Sequence, residues 1–208
     1  MLKKKLHYWN KALIHLKQKD KILAKIILHH KSDYLLISND KYTSLLRAII
    51  GQQISVKAAH SIWLKFSKKY NKINPKKIAD EKNYNLKKLG LSRQKVLYVK
   101  NISHYFLENK KRIKNWHQLS DEEVIQDLIT IKGIGIWTAE MFLMFSLGRP
   151  NIFPINDLGF LKAISINYNK SLPLNKKFLD KLNKKWDPWC SVATWYLWRS
   201  IDPIPVNY

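Results

Sequence analysis

Short helical stretches follow one another along most of this chain, and strand-like alternation of apolar and polar residues is nearly absent. In residues 42–50, for example, apolar side chains recur three and four positions apart, as on one face of a helix. Residues that favour helix starts or ends separate the stretches. In chain order they include Gly51, Ser55, Gly90, Ser92, Ser120 and Gly148. The pattern predicts an all-α fold of many short helices with short connections.

The charge of the chain favours a polyanionic partner. The 38 Lys and Arg residues against 15 Asp and Glu residues give a formal net charge of +23 over 208 residues. A field of that strength attracts nucleic-acid backbones without sequence preference. Only five of the 38 basic residues are arginine, and the chain is rich in residues with A/T-rich codons. A solvated lysine surface inflated by genome composition is therefore the alternative interpretation.

The cysteine content and the hydropathy exclude several classes of protein. Cys190 is the single cysteine, which excludes a disulfide scaffold, a cluster held by four thiolates and a zinc site built from several cysteines. No apolar run approaches the ~20 residues of a membrane span. The basic N-terminus lacks the apolar core of a signal peptide. We therefore expect a soluble, cytoplasmic protein with no membrane partner.

The most informative segment is residues 128–139, LITIKGIGIWTA, in which two predicted helices meet at a glycine turn. Gly133 and Gly135 permit positive φ and close backbone approach, with Ile134 pointing inward between the helices. The second helix starts at this turn, so its amide groups and its dipole can bind a phosphate, and Lys132 adds a cation. An ordinary helical hairpin with a glycine turn is the alternative interpretation.

The pattern L-x-x-I-K-G-I-G-x-W-T-A resembles the helix–hairpin–helix of a DNA glycosylase superfamily, in which a Gly/Pro-rich loop and an aspartate follow the hairpin. Here the loop is GRPNIFPIN, and it leads to Asp157. The resemblance covers roughly residues 42–202. Within the superfamily, these segments resemble the alkylated-base branch, 3-methyladenine DNA glycosylase II. Three further segments agree with it: RAIIGQQISVKAA at 47–59, LGLSRQK at 89–95 and WDPWCSVATWYLWR at 186–199.

The resemblance implies a monofunctional enzyme that hydrolyses the N-glycosidic bond. Bifunctional members carry a lysine nucleophile just after the hairpin, and this chain has Trp137 there. Asp157 corresponds to the catalytic aspartate, which stabilises positive charge on the deoxyribose and can orient or deprotonate the attacking water. It begins a predicted helix, where the dipole favours the anion. A simple N-cap is the other interpretation of Asp157, and the two are compatible.

The resemblance also implies an aromatic pocket for the flipped base. An alkylated purine is cationic and already a good leaving group, so stacking and cation–π attraction suit it and no general acid is required. Trp198 and Trp137 are the candidate walls. Met141, one turn beyond Trp137, stands where the family often has an aromatic residue. Core packing is the alternative for each tryptophan.

Predicted DNA contacts lie in the hairpin and in an earlier loop. The resemblance implies that Gln53 fills the gap left by the flipped base, and an exposed loop residue without that role is the alternative. Thr138 either binds a phosphate or caps the helix. The predicted DNA-binding set is Gln53, Lys132, Gly133, Ile134, Gly135 and Thr138. The resemblance implies a sodium or potassium ion on the backbone carbonyls of Ile129, Ile131 and Ile134. It implies no required cofactor and no iron–sulfur cluster.

The implied architecture is two helical lobes with a cleft for DNA and the flipped base. Residues 42–148 form one lobe, and residues 1–41 with 149–208 form the other. The expected protein is a monomer that excises 3-methyladenine and related purines from damaged double-stranded DNA in base excision repair, at the bacterial nucleoid. Three alternatives remain: a non-catalytic hairpin protein that binds DNA, a monofunctional glycosylase for another lesion, and a basic RNA-associated protein.

Overall fold

A computed structural model describes residues 3–202, which form two compact units. One unit is contiguous and comprises residues 40–142. The other is discontinuous and combines residues 3–39 with residues 143–202. The sequence analysis placed residues 143–148 with the contiguous lobe, whereas the structure groups them with the discontinuous unit. Residues 1–2 and 203–208, assigned above to the second lobe, lie outside the described residues.

The contiguous unit is entirely helical within the described residues. Helix α7 (Arg93–Glu108) packs against α3 (Lys41–Gly51) and α5 (Pro75–Asp80). The buried residues of this unit include Leu45, Phe66, Val99 and Trp116. In chain order its helices are α3 (Lys41–Gly51), α4 (Val56–Lys69), α5 (Pro75–Asp80), α6 (Asn83–Lys88), α7 (Arg93–Glu108), α8 (Lys110–Lys114), a 3₁₀ turn (Asn115–His117), α9 (Asp121–Ile129) and α10 (Ile136–Phe142).

In the discontinuous unit, helix α13 (Cys190–Ile201) packs against α2 (Lys21–His29) and α11 (Leu158–Tyr168). Its core includes the buried rings of Trp9, Phe160, Trp186 and Tyr196. Its elements are β1 (Lys3–Lys5), α1 (Trp9–Lys19), α2 (Lys21–His29), β2 (Leu36–Ser38), a π-helical turn (Leu143–Leu147), α11 (Leu158–Tyr168), α12 (Lys176–Trp186) and α13 (Cys190–Ile201).

The mostly helical prediction is confirmed, and two details differ from it. The three-residue strands β1 and β2 pair antiparallel, with Lys4 opposite Ile37. The helix that starts after the glycine turn ends at Phe142 and continues as the π-helical turn. Three predicted helix starts are confirmed by side-chain caps, because Ser55, Ser92 and Ser120 each accept a hydrogen bond from the amide three residues ahead. No helix in residues 3–202 is long and apolar enough to cross a membrane.

Candidate functional site

Asp157 stands at the N-cap of α11, as the sequence predicts, and its carboxylate has a second role there. Its Oδ1 accepts a 2.6 Å hydrogen bond from the Phe160 amide, which satisfies one of the open donors at the helix start. The same oxygen accepts a 3.0 Å hydrogen bond from Nε1 of Trp198. Asp157 is half-buried. Its carboxylate is fixed in orientation because it accepts hydrogen bonds from donors on two helices, α11 and α13.

Gly159 permits this approach of Trp198 to Asp157. A Cβ at Gly159 would lie 3.2 Å from Oδ1 of Asp157 and 3.6 Å from Nε1 of Trp198, so little space remains. Phe145 of the π-helical turn stacks against the Trp198 ring, with ring centroids 6.1 Å apart and planes 14° apart. The structure thus brings together two predicted site residues, Asp157 and Trp198, and adds Gly159 and Phe145 to them.

The loop that leads to Asp157 is attached to the start of α13 by Ser191. The Ser191 hydroxyl donates to the Arg149 carbonyl (2.6 Å) and accepts from the Ile152 amide (2.9 Å). The Ser191 amide donates to the Pro150 carbonyl (3.0 Å). Sequence reasoning missed this residue, because a serine in the first turn of a helix carries no signal for a partner about 40 positions away.

The glycine turn, residues 130–135, connects α9 to α10 as the predicted helical hairpin. The Ile134 amide donates to the Ile131 carbonyl (2.9 Å), and the first intrahelical bond of α10 joins the Ala139 amide to the Gly135 carbonyl (3.0 Å). Amides ahead of Ala139 therefore lie outside the helical ladder, as a phosphate site requires. Ile134 is buried and Lys132 is exposed, both as predicted.

Helix α7 supports the hairpin through two residues that the sequence analysis did not identify. The ring of Tyr98 lies directly against the Cα of Gly133. The Asn101 side chain donates to the Lys132 carbonyl (3.3 Å). Tyr98 is in turn held by a hydrogen bond from Gln94, one turn earlier. The shape of the turn is therefore set by packing from a distant helix as well as by its own glycines.

Gln53 is exposed and has φ of +56°, an uncommon backbone conformation for a residue with a side chain. Thr138 is different, because only 4% of its surface is exposed and its Oγ1 accepts a 3.1 Å hydrogen bond from Nε2 of Gln52. The predicted contact between the Thr138 side chain and DNA is therefore not supported. Its hydroxyl joins the hairpin to the end of α3.

Two predicted pocket residues, Trp137 and Met141, lie on α10 in the contiguous unit. Trp137 is half-buried. Met141 is only 2% exposed, so its side chain packs inside the protein, and a place in a base pocket is not supported for it. Met141 lies one helical turn after Trp137, a spacing that fits both core packing and a pocket wall. The sequence alone does not distinguish these two roles.

The two hairpin glycines differ in the space around them, so their alanine variants should behave differently. Gly133 has φ of +109° and its Cβ would overlap the Tyr98 ring, so Gly133→Ala should destabilise the hairpin and weaken binding to any duplex by about tenfold or more. Among the described residues, no atom lies within 4 Å of a Cβ at Gly135. Gly135→Ala should therefore keep the native melting temperature.

Duplex affinity in Gly135→Ala then reports on close approach of the backbone to a phosphate. Loss of affinity at an unchanged melting temperature is the expected result, because the added methyl group stands between the amides and the phosphate oxygens. Native affinity in Gly133→Ala would contradict the assignment of this turn as a DNA contact. Titration of both variants with a fluorescent duplex, beside thermal unfolding, measures the two effects separately.

The backbone carbonyls predicted to bind a monovalent cation lie at the end of α9 and in the turn. Carbonyls at a helix C-terminus lack intrahelical donors, which suits a cation. The Ile131 carbonyl accepts from the Ile134 amide, but an oxygen with two lone pairs can still face an ion. The residues therefore fit the predicted group. Within residues 3–202 no three His, Cys, Asp or Glu side chains are placed to hold a metal ion.

Comparison with protein families matches residues 46–188 to the HhH-GPD superfamily of base excision DNA repair proteins. The chain belongs to this superfamily. The matched HhH-GPD region includes both features described above, the hairpin in residues 130–135 and the carboxylate of Asp157. Trp198 lies ten residues beyond it, so its hydrogen bond to Asp157 is a feature of this structure that the family match does not include.

Curated HhH-GPD relatives are similar over most of the chain. DNA-3-methyladenine glycosylase 1 of Schizosaccharomyces pombe is 31% identical over 197 residues, which are 91% of this chain and 86% of the relative. The Bacillus subtilis protein YfjP, whose name assigns it provisionally as a DNA-3-methyladenine glycosylase, is 30% identical over 86% of this chain. The match spans 66% of the length of the B. subtilis protein.

Several solved structures are similar to this chain over most of its length. The S. pombe 3-methyladenine DNA glycosylase in complex with abasic DNA has a TM-score of 0.75 and 28% identity, covering 91% of this chain and 96% of that one. A DNA-3-methyladenine glycosidase from Bacillus halodurans has a TM-score of 0.77 and 28% identity, covering 96% and 92%. An 8-oxoguanine glycosylase/lyase from Clostridium acetobutylicum, at 18% identity, shares the fold alone.

Proposed function

We propose that this protein is a monofunctional DNA glycosylase that removes alkylated purines, 3-methyladenine among them, by hydrolysis of the N-glycosidic bond. The observation that carries the proposal is the Asp157 carboxylate, whose Oδ1 is held by Nε1 of Trp198 and by the Phe160 amide. The relatives' names, which specify DNA-3-methyladenine glycosylases, support the substrate class.

A fixed carboxylate suits this reaction because breaking the bond leaves positive charge on the deoxyribose. Charge that is already oriented stabilises such a transition state without reorganisation during the reaction. The two hydrogen bonds to Oδ1 of Asp157 supply that orientation. The carboxylate also directs or deprotonates the water that replaces the base. An alkylated purine leaves without protonation, so the site needs no general acid.

The DNA contacts belong to the same proposal. The partner is double-stranded DNA with damaged bases, and the hairpin amides with Lys132 bind its phosphates. Gln53 fills the gap left by the flipped base. Trp198 is an aromatic wall for that base. A sodium or potassium ion is held by the Ile129, Ile131 and Ile134 carbonyls. The protein acts as a monomer in the cytoplasm, at the nucleoid.

Release of free bases from randomly methylated DNA, resolved by chromatography, tests this function. Release of 3-methyladenine, with or without 7-methylguanine, is the expected result. Binding to duplex DNA with no base released would contradict it and favour a non-catalytic DNA-binding protein or another lesion. Duplexes with single deaminated or oxidised bases then separate those two outcomes. Competition by unmodified RNA tests the RNA-associated alternative.

Trp137 predicts that the reaction leaves the DNA strand intact. An indole cannot form a Schiff base with the sugar, so borohydride should trap no covalent adduct between the protein and damaged DNA. The measurement is denaturing electrophoresis after reduction, with a lyase that does form the adduct as the positive control. An adduct at Lys132, identified by mass spectrometry and lost in Lys132→Arg, would show that the hairpin lysine is a nucleophile after all.

A further inference from the structure

The side chain of Gln52 joins the end of α3 to both sides of the hairpin turn. Its Nε2 donates to the Gly133 carbonyl (3.3 Å) and to Oγ1 of Thr138 (3.1 Å). Gln52 is the C-cap of α3, and Gln53, the residue proposed to enter the duplex, follows it directly. A single amide group therefore connects the loop that carries Gln53 to the turn that contacts phosphates.

The end of α3 is also held from α7. Nζ of Lys95 donates to the Ile50 carbonyl (2.7 Å), two residues before Gln52. The Gln52 amide donates to the Ile49 carbonyl (3.2 Å), which closes the last turn of the helix. Gln52 thus stands on a fixed backbone, and its side chain reaches the hairpin from that base.

Gln53 has no such constraint of its own among the contacts described. It is exposed, and its φ of +56° lies in a region that residues with side chains seldom occupy. A side chain that must enter DNA from such a backbone pays an ordering cost each time, unless a neighbour fixes the loop beforehand. Gln52, with two hydrogen bonds to the hairpin, is placed to fix the loop before Gln53 enters the duplex.

We propose that Gln52 is a positioning residue that couples the two DNA contacts of this unit, the phosphate contact of the hairpin and the insertion of Gln53. The proposal rests on the proposed function, in which Gln53 fills the gap left by a flipped base. Because the loop and the turn are joined, hairpin binding sets the backbone from which Gln53 enters the duplex. Gln52 touches neither the reacting atoms nor the sugar, and it acts through Gln53.

The experiment compares native protein with Gln52→Met, which keeps the length of the side chain and removes both hydrogen bonds. Two binding constants are measured, one for an undamaged duplex and one for a duplex with an abasic-site analogue opposite 2-aminopurine. Fluorescence of the 2-aminopurine reports unstacking when Gln53 enters. Gln126→Met, the same substitution on the exposed surface of α9, is the matched control.

The expected result is a specific loss. Gln52→Met should weaken binding to the abasic duplex by about tenfold and binding to the undamaged duplex by less than about threefold, since two hydrogen bonds are lost but the hairpin amides remain. Thr138→Val, which removes one of the two acceptors, should give a smaller loss. Melting temperatures of all variants should stay near native.

The decisive comparison uses Gln53→Ala as the background. If Gln52 acts through Gln53, adding Gln52→Met to Gln53→Ala should weaken abasic-duplex binding by no more than about twofold further. An equal loss in both backgrounds, or equal losses for the two duplexes, would overturn the proposal. These binding and fluorescence measurements do not depend on release of a base. A coupling without base release would therefore contradict the proposed function alone, and base release without a coupling would contradict this inference alone.

Discussion

Asp157→Asn should reduce base release by about 10³-fold or more, with duplex affinity within about threefold of native. The substitution removes the negative charge and keeps an oxygen that can accept hydrogen bonds from the Phe160 amide and from Nε1 of Trp198. Asn is also as good an N-cap as Asp. The loss therefore reports on the charge, because the local structure has no reason to change.

Single-turnover excision from methylated DNA measures this rate, and fluorescence anisotropy with a duplex measures the affinity. Asp180→Asn is the matched control, since it removes one negative charge from an exposed position in the same unit and should leave both quantities near native. Asp157→Ala adds a second comparison, because it also loses the cap and about 1 kcal/mol of stability. A near-native rate in Asp157→Asn would exclude this carboxylate as the catalytic group.

Asp20→Ala should lower the free energy of unfolding by about 3 kcal/mol and the melting temperature by roughly 6–12 °C. Asp20 is only 1% exposed, caps α2 and forms an ion pair with Lys185 at 3.0 Å. Removing it leaves the lysine and several donors without their acceptor. Those donors are the amides of Ile22 and Leu23, the Tyr168 hydroxyl and Nε1 of Trp186.

Urea and thermal unfolding measure this effect, with Asp180→Ala as the control. Asp180 is exposed and pairs with Lys176 only at 4.0 Å, so its loss should change stability by less than about 0.5 kcal/mol. An equal change in the two variants would show that the buried ion pair and its hydrogen bonds contribute no more than a surface charge. Because Asp20 joins the first helices of the unit to α11 and α12, loss of activity in Asp20→Ala should follow the unfolded fraction.

The same carboxylate predicts a pH dependence. Burial favours a higher pKa for Asp20, but hydrogen bonds from Trp186, Lys185 and Tyr168 outweigh it and hold the pKa below the ordinary value of 3.8. The stability it contributes is therefore fully present above about pH 4 and is lost as the pH falls through the lowered pKa. Native protein should lose more stability than Asp20→Asn between about pH 5 and pH 2, roughly the range in which carboxylates titrate.

Features that depend on residues close in sequence could be predicted. Ser55, Ser92 and Asp157 each cap a helix through an amide three residues ahead, so the whole interaction lies within a few positions. The positive φ of Gly133 follows in the same way from a turn between two helices. Local chemistry fixes these features, and a single sequence carries that chemistry.

Contacts between distant residues could not be predicted. The sequence treats Gly133 and Gly135 alike, and only packing of Tyr98 from α7 separates them. No pattern in the sequence predicts the hydrogen bond from Nε1 of Trp198 to Asp157, 41 positions earlier. The buried position of Thr138 follows from Gln52, 86 positions earlier. Such contacts depend on how helices pack, which periodicity along one helix does not contain.

The discontinuous unit has a consequence for the order in which the chain becomes structured during synthesis. Besides contacts among themselves, residues 3–39 have partners in the last third of the chain, through contacts such as Tyr8 with Gly148 and Asp33 with Arg199. Translation from residue 39 to residue 143 takes roughly 5–20 s at typical rates of synthesis. Residues 40–142 emerge within that interval as one continuous segment. A growing chain can therefore begin to pack this continuous segment while residues 3–39 still lack their partners in residues 143–202.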